Sequence, residues 1–414
     1  MAAIQPTRIC FIRQGYYPLD TRVRRQVRAL TLAGHEVDVI CLSRPGEPRF
    51  ERQDKVTVHR VPITKRRAGH FAYLIQYGAF FVFAMWMATV LHLRRRYELV
   101  QVFTLPDVLV FAAVIPRLLG ARVLLDLQES TPEFYAVKFG VGLRHPAVRL
   151  MARLEQAAIR FAHHTITCTD QMREAFESRG AAPSTIEVIM NSAAEEEFDP
   201  KRYPPAQRAP GEFRIICHGT VERIYGIDTI VRAVALLRDD IPGLRLDIYG
   251  EGSALDEIRS LVGDLDLADR VYFSGRFVPL EEVVRAIANA DVGVVAIRQD
   301  MFRDLMHCLK MFEYIAMRKP AIVSRTRSVE AYFGDSCFRL FKAGDEHDLA
   351  RAIRDLYADP QLRGRLARQA ARTNQPYRWS HQRKRYQEIV QKLVLKHPGG
   401  PTGPALIEAR SQSS

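Results

Sequence analysis

In the segment LKMFEYIAMRKPAIVS, residues 309–324, Lys310 and Glu313 stand three apart where a helix is expected to start after a strand and a loop. A carboxylate on the first turn of a helix facing a cleft accepts both vicinal hydroxyls of a ribose, and a lysine one turn earlier meets a phosphate. An exposed ion pair along one helix face fits the same spacing. By themselves the two residues leave both readings open.

Glycines at strand ends are the second candidate feature. Gly15 follows RICFIR, His218-Gly219-Thr220 through Gly226 follows FRIIC, and Gly250-Glu251-Gly252-Ser253 follows LRLDIY. Glycine there lets the backbone approach a phosphate, while the next helix supplies amide donors and the positive end of its dipole. A strand-to-helix turn that needs glycine for backbone reasons alone reads the same way. None of the three matches G-x-G-x-x-G or G-x-x-x-x-G-K-[ST], which argues against dinucleotide oxidoreductases and P-loop NTPases. The D-x-D of Asp264-Leu265-Asp266 lies in a helix-to-strand connection, and no metal site is expected.

These residues need elements to hold them. RICFI, EVDVICL, ELVQVFT, ARVLLDL, HTITC and IEVIM read as strands separated by helices; FRIICHG, LRLDIYG, RVYFSG, ADVGVVAI, PAIVS and DSCFRLF form a second series. Strands alternating with helices predict parallel sheets covered on both faces. The 414 residues thus divide into an N-terminal domain at 1–197, a Pro-rich linker at 198–212 (FDPKRYPPAQRAPGE) and a second domain at 213–375. A closing helix at 376–397, containing Trp379, is expected to cross back to the first domain, followed by a disordered tail at 398–414. The expected fold is α/β, with two Rossmann-like doubly wound domains and a site in the cleft where their C-terminal strand ends face each other.

Composition narrows the partners. Lys and Arg total 60 against 47 Asp and Glu, a net charge of +13, which suits nucleic acid, an anionic lipid surface or phosphorylated small molecules. Basic residues with aromatic platforms and a recognisable nucleic-acid motif are both missing, so nucleic acid is not expected. The six cysteines are scattered without a C-x-x-C pair, consistent with reduced thiols in a cytoplasmic protein. Phe71 to Leu93 carries no Asp, Glu, Lys or Arg and lies between Lys65-Arg66-Arg67 and Arg94-Arg95-Arg96. It reads as a bilayer span, a core helix, or a helix in the membrane interface with its basic flanks on anionic head groups. Strand-like sequence on both sides of it weighs against a span.

The order of segments resembles the family 4 retaining glycosyltransferases of the GT-B fold over roughly Arg8 to Leu395. TRVRRQVRALTLAGHEVDVICL is similar to the family's first helix and second strand, and VLLDLQESTPEFY to its D-x-H-E strand end. IEVIMNSAAEEEFDP matches the segment leading into the linker, CHGTVERIYGIDTIVRA the G-R-x-x-x-x-K-G-x-D loop, and LKMFEYIAMRKPAIVS the P-x-K-x-x-E-Y-M-A-x-G-x-P-V segment.

The resemblance implies that Glu313 binds the nucleotide ribose, that Lys310 lies near the donor, and that Gly15 and the loop from Gly219 and Thr220 to Gly226 line the diphosphate; Gly250, by its place after a strand, is expected beside them. It places Asp126, Gln128 and Glu129 on the acceptor side. This sequence departs from the pattern at several positions. The family's donor-sugar glutamate falls on Leu305 beside Asp304, the loop's arginine on Thr220, its lysine on Tyr225, and the histidine of D-x-H-E on Gln128. Arg223 is then the nearest cation for the diphosphate. The activity implied is metal-independent, retaining transfer of a sugar from a UDP- or GDP-linked donor, without further cofactor, to a lipid-linked or polysaccharide acceptor; the basic-flanked apolar stretch places it in the cytoplasm, at the inner face of the cell membrane. A nucleotide-sugar epimerase or phosphorylase-like enzyme and a non-catalytic nucleotide-sugar-binding subunit are the alternatives.

Overall fold

The computed structural model of the chain describes residues 7–63, 70–207 and 210–395. Lys65, Arg66, Arg67 and the expected tail lie outside them. Two compact units are present: one runs to Ile189 and resumes at Arg383, the other is Met190–Gln382. The segment after Ile189 is tied into the second unit because the Met190 N–H donates to Gln382 Oε1 at 2.8 Å and Ser380 Oγ donates to Glu195 at 2.9 Å. The closing helix Trp379–Leu395 therefore starts in the second unit and passes into the first at Arg383.

The first unit carries β1 (Arg8–Arg13), β2 (Glu36–Leu42), β3 (Phe50–Gln53), β4 (Val56–Val61), β5 (Leu99–Phe103), β6 (Arg122–Leu127), β7 (His164–Thr167) and β8 (Ile186–Val188) in the order β3-β4-β2-β1-β5-β6-β7-β8. All pairs are parallel except β3 on β4. Central strands such as EVDVICL are buried almost throughout, as a sheet covered on both faces requires. The polar edge strand FERQ is exposed along its length, so it carries no apolar alternation to announce it. LPDVLVFAAVIPRLLG, read as one helix, is a 3-10 segment Asp107–Ala113 followed by the short helix Val114–Leu118. Pro116 lacks the N–H that a continuous helix would use.

The second unit carries β9 (Phe213–His218), β10 (Leu244–Tyr249), β11 (Val271–Phe273), β12 (Val292–Val295), β13 (Ala321–Ser324) and β14 (Arg339–Phe341), all parallel, in the order β11-β10-β9-β12-β13-β14. Ile215, Leu246 and Val294 pack with Val231 and Ile353 from the covering helices. The order reverses at β1/β5 in one sheet and at β9/β12 in the other. Open α/β sheets place ligands outside the strand carboxyl ends at such reversals.

The long apolar segment forms a helix, His70–Arg95, which is the crossover from β4 to β5 of the same sheet. Phe80, Ala84, Ala88 and His92, four apart, are buried against the unit, while Val82, Phe83, Trp86 and Leu93 are exposed. It is neither a fully buried core helix nor detached from the sheet. Arg95 is committed to the protein: its Nη1 donates to both oxygens of buried Asp38 at 2.5 and 2.6 Å.

Candidate active site

β9 ends at His218, and the chain turns into the exposed Gly219-Thr220 with Gly219 at φ +94°. The Gly219 N–H donates to Tyr249 O at 2.8 Å, tying the end of β9 to that of β10. Gly250 follows Tyr249 at φ +135°, and a Cβ there would lie 2.0 Å from Gly219 O. Glycine is thus required at Gly250 for the two loops to touch. Gly226 closes the same loop against Ala296 O, past β12. These glycines let the loops meet at the β9/β12 reversal in a ledge on which Gly219 and Thr220 are exposed while Gly226 and Gly250 are buried.

The helix Leu309–Ala316 starts beside this ledge. Its register is fixed by Tyr314, which is fully buried, donates its hydroxyl to Ile216 O at 3.0 Å, and packs on Gly293 so closely that a Cβ there would sit 2.4 Å from the ring. Lys310 and Glu313 on that helix are thereby brought to Gly219 and His218. The Lys310 Cε lies 2.8 Å from where a Gly219 Cβ would be, and its Nζ sits 4.1 Å from the Tyr225 ring centroid. Glu313 Oε2 is 3.3 Å from His218 Nε2. That contact lacks hydrogen-bond alignment, and burial together with the Lys310 charge lowers the His218 pKa to about 3, so a neutral ring faces the carboxylate. Lys310 and Glu313 each face a group on the β9 side, Tyr225 and His218 respectively.

Other expected site residues lie elsewhere. Arg223 is 78% exposed and its Nε donates to Glu257 at 2.7 Å. Leu305 is buried, and Asp304 accepts from the Arg327 N–H at 2.9 Å and from Gln299 at 3.1 Å. Gly15, in the first unit, uses both backbone groups locally: its N–H donates to Arg13 O and its carbonyl accepts from Leu42, each at 2.9 Å.

In the first unit Asp126 ends β6's inner row and is buried. Its Oδ2 accepts from Gln26 at 2.8 Å and from Gln128 at 3.4 Å, yet burial outweighs those bonds and raises its pKa to about 6. The chain continues inward, with Gln101 donating to Gln26 at 2.6 Å and Tyr386 of the closing helix donating to Gln101 at 2.5 Å. Gln128 accepts from Arg22 at 3.0 Å, while Glu129 is partly exposed beside it. Asp107, at the first turn after β5, is 4% exposed, and neither carboxylate oxygen has an aligned hydrogen-bond partner. Burial raises its pKa to about 7, opposed by the Thr131 hydroxyl and reinforced by Glu155 and Glu129.

The profile of the Glycosyl transferase 4-like domain matches residues 19–192, and that of the Glycosyl transferases group 1 matches residues 212–359. Sucrose-phosphate synthase from Thermosynechococcus elongatus superposes with a TM-score of 0.73 at 21% identity, over 94% of this chain and 99% of that one. The chain has the GT-B fold, and two successive stretches of it match glycosyltransferase families. HepE from Anabaena, solved in complex with UDP-glucose, shares the GT-B fold with a TM-score of 0.67 at 15% identity, over 93% of this chain and all of that one. The putative glycosyltransferase EpsD of Bacillus subtilis (strain 168) is 31% identical over 147 residues, 35% of this chain and 36% of EpsD. This GT-B chain thus matches only about a third of that relative's length.

Two buried titratable groups in this GT-B chain were not evident as such from the sequence. His218 was legible only as part of a strand end; its signal is a histidine closing an apolar strand ahead of glycine. Asp107 is a carboxylate following Leu-Pro after the apolar strand β5, which reads as a helix start and gives no hint of burial.

Proposed function

We propose that this GT-B chain transfers a glycosyl group from a UDP- or GDP-linked donor to a lipid-linked or polysaccharide acceptor, with retention and without a metal. The observation that carries the reading is the convergence of Lys310 and Glu313 from one pinned helix onto the glycine ledge at the β9/β12 reversal. HepE, with the same fold, binds UDP-glucose.

In this reading Glu313 accepts the two ribose hydroxyls, and its acceptor character is kept because neutral His218 does not compete as a cation. Lys310 is the cation nearest the ledge and meets the diphosphate, with exposed Thr220 and the Gly219 backbone beside it. Arg223 joins by exchanging Glu257 for phosphate. Cleavage of the bond from sugar C1 to the diphosphate oxygen leaves negative charge on the phosphate, and cations and amides already aimed there lower the barrier. The acceptor oxygen attacks C1 from the face the phosphate leaves, and its proton passes to the departing phosphate oxygen. Every bond broken is matched by one formed, so no protein nucleophile or external cofactor is consumed. Asp126, Gln128 and Glu129 serve the acceptor side, Asp126 as a buried anchor and Glu129 at the surface. The chain acts on the cytoplasmic face of the membrane, held by the exposed apolar face of the helix His70–Arg95.

A thermal-shift screen of UDP- and GDP-sugars, followed by turnover of those that stabilise the protein, tests the reading. Transfer that needs an acceptor and persists in EDTA supports it. Free sugar or an epimer formed without acceptor points to the epimerase or phosphorylase-like alternative. The burial of Leu305 at the donor-sugar position favours one second reading, a nucleotide-sugar-binding subunit, and donor binding without any turnover would establish that instead.

A further inference from the structure

A cavity of about 410 Å³ opens within the second unit, in the size range of small-molecule sites. It lies where the chain has just entered that unit and is about to leave it: Ser192, Asp199 and Lys201 line one side, Asn374 and Arg378 another. Between them it is lined by Phe312 and Ile315, buried residues of the helix Leu309–Ala316. At about 100° per residue, these two point away from Lys310 and Glu313 of the same helix. The cavity therefore backs onto the element that presents Lys310 and Glu313 to the ledge.

Three cations line it. Lys201 and Arg318 are exposed and Arg378 is half-buried, and among the described residues none of these side chains makes a hydrogen bond or an ion pair. The two carboxylates of the lining are engaged by protein donors: Glu195 accepts from Ser380 Oγ at 2.9 Å and from the Ser380 N–H at 3.2 Å, and Asp199 from the Lys201 N–H at 3.0 Å. What the lining leaves free is chiefly cationic donors. Arg318 is also held in place against its backbone preference. It has φ +57°, with its N–H on Ile315 O at 3.0 Å and the Lys319 N–H on Tyr314 O at 2.9 Å, a left-handed helix end that glycine closes most easily. A long cationic side chain kept at such a position, with no partner in the protein, points to a ligand.

We propose that this cavity is an effector site for a small phosphate monoester. The phosphate lies among Arg318, Arg378 and Lys201, where the guanidinium forks match its oxygens, and the body of the molecule packs over Phe312 and Ile315. Braced there, it steadies the helix that carries Lys310 and Glu313 and so tightens nucleotide binding, and the nucleotide tightens the phosphate ligand by the same factor. The effector role rests on the nucleotide reading above; the phosphate site does not.

Calorimetric titration of the full chain with ribose 5-phosphate, with ribose as the control, tests the site without any nucleotide. Ribose 5-phosphate should bind and ribose should not, with an affinity that falls as salt rises. Arg378→Ala and Arg318→Gly should each weaken it about tenfold. Arg318→Gly should do so with no fall in melting temperature, because glycine relieves the backbone there, and Lys310→Ala should leave the affinity unchanged. No binding, equal affinity in wild type and both arginine variants, or loss in Lys310→Ala, which would put the phosphate on the ledge, overturns the site. Saturating ribose 5-phosphate should tighten UDP or GDP at least about fivefold in wild type and not in Arg378→Ala; an unchanged nucleotide affinity overturns the effector role. If neither nucleotide binds while ribose 5-phosphate still binds through Arg318 and Arg378, the effector role falls with the nucleotide reading and the phosphate site stands.

Discussion

At the scale of single residues, a neutral histidine is held against a carboxylate: His218 faces Glu313. His218 has a folded pKa of about 3, below its unfolded value near 6.5. Between those values the unfolded chain binds more protons, so this stability is complete above about pH 6.5 and is lost as the pH falls, by at most about 1.4 kcal/mol per pH unit. His218→Gln should remove that slope from acid unfolding of the second unit; an identical acid limb in wild type and variant would show that the ring is not held neutral. Lys310 and Glu313 were legible from spacing, because a helix start brings residues three apart to one face. Their partners were not. Tyr225 and His218 reach them from elements some ninety residues earlier in the chain, and only the packing of Tyr314 on Gly293 decides that meeting.

Among the elements, the ledge and the buried polar chain make separate claims. Gly250→Ala forces a side chain into Gly219 O and strains a positive φ, which costs about 1–3 kcal/mol for the φ alone. It should lower the melting temperature of the second unit clearly. Gly219→Ala meets only the flexible end of Lys310 and should disturb nucleotide binding more than its own backbone strain disturbs stability; equal losses in both variants would contradict that division. In the first unit Asp126 has a folded pKa of about 6, above its unfolded value near 3.9, so the native state binds the extra proton and stability falls as pH rises from about 4 to 6. Asp126→Asn should lack that fall in urea unfolding followed against pH. The parallel strands were readable because burial on both faces leaves continuous apolar runs. The edge strand Phe50–Gln53 was not, since three of its four residues are polar and all four are exposed, and the 3-10 segment at Asp107–Ala113 read as a helix because its apolar pattern is the same.

For the whole molecule, two α/β units and a closing helix that ends in the first unit could be anticipated from the order of segments, whereas the boundary at Ile189 goes with hydrogen bonds from Met190 to Gln382 and from Ser380 to Glu195 that no local pattern announces. The protein's +13 charge also has a directional reading, because the long helix shows an apolar face beside exposed Arg94 and Arg96 while Arg95 serves Asp38. Of the two tryptophans, Trp86 is 59% exposed on that face and Trp379 is 3% exposed. Anionic vesicles should therefore shift the emission of Trp86 to the blue and neutral vesicles should do so less, with the response lost in Trp86→Phe; no shift with either would remove the membrane from the account. The central claim remains that Glu313 and the ledge beside it hold a nucleotide. Calorimetric titration of the full chain with UDP and GDP tests it most directly: one of the two should bind, and Glu313→Ala should weaken it roughly 10- to 100-fold with an unchanged melting temperature. Binding that is equal in wild type and Glu313→Ala, or absent for both nucleotides, would contradict it.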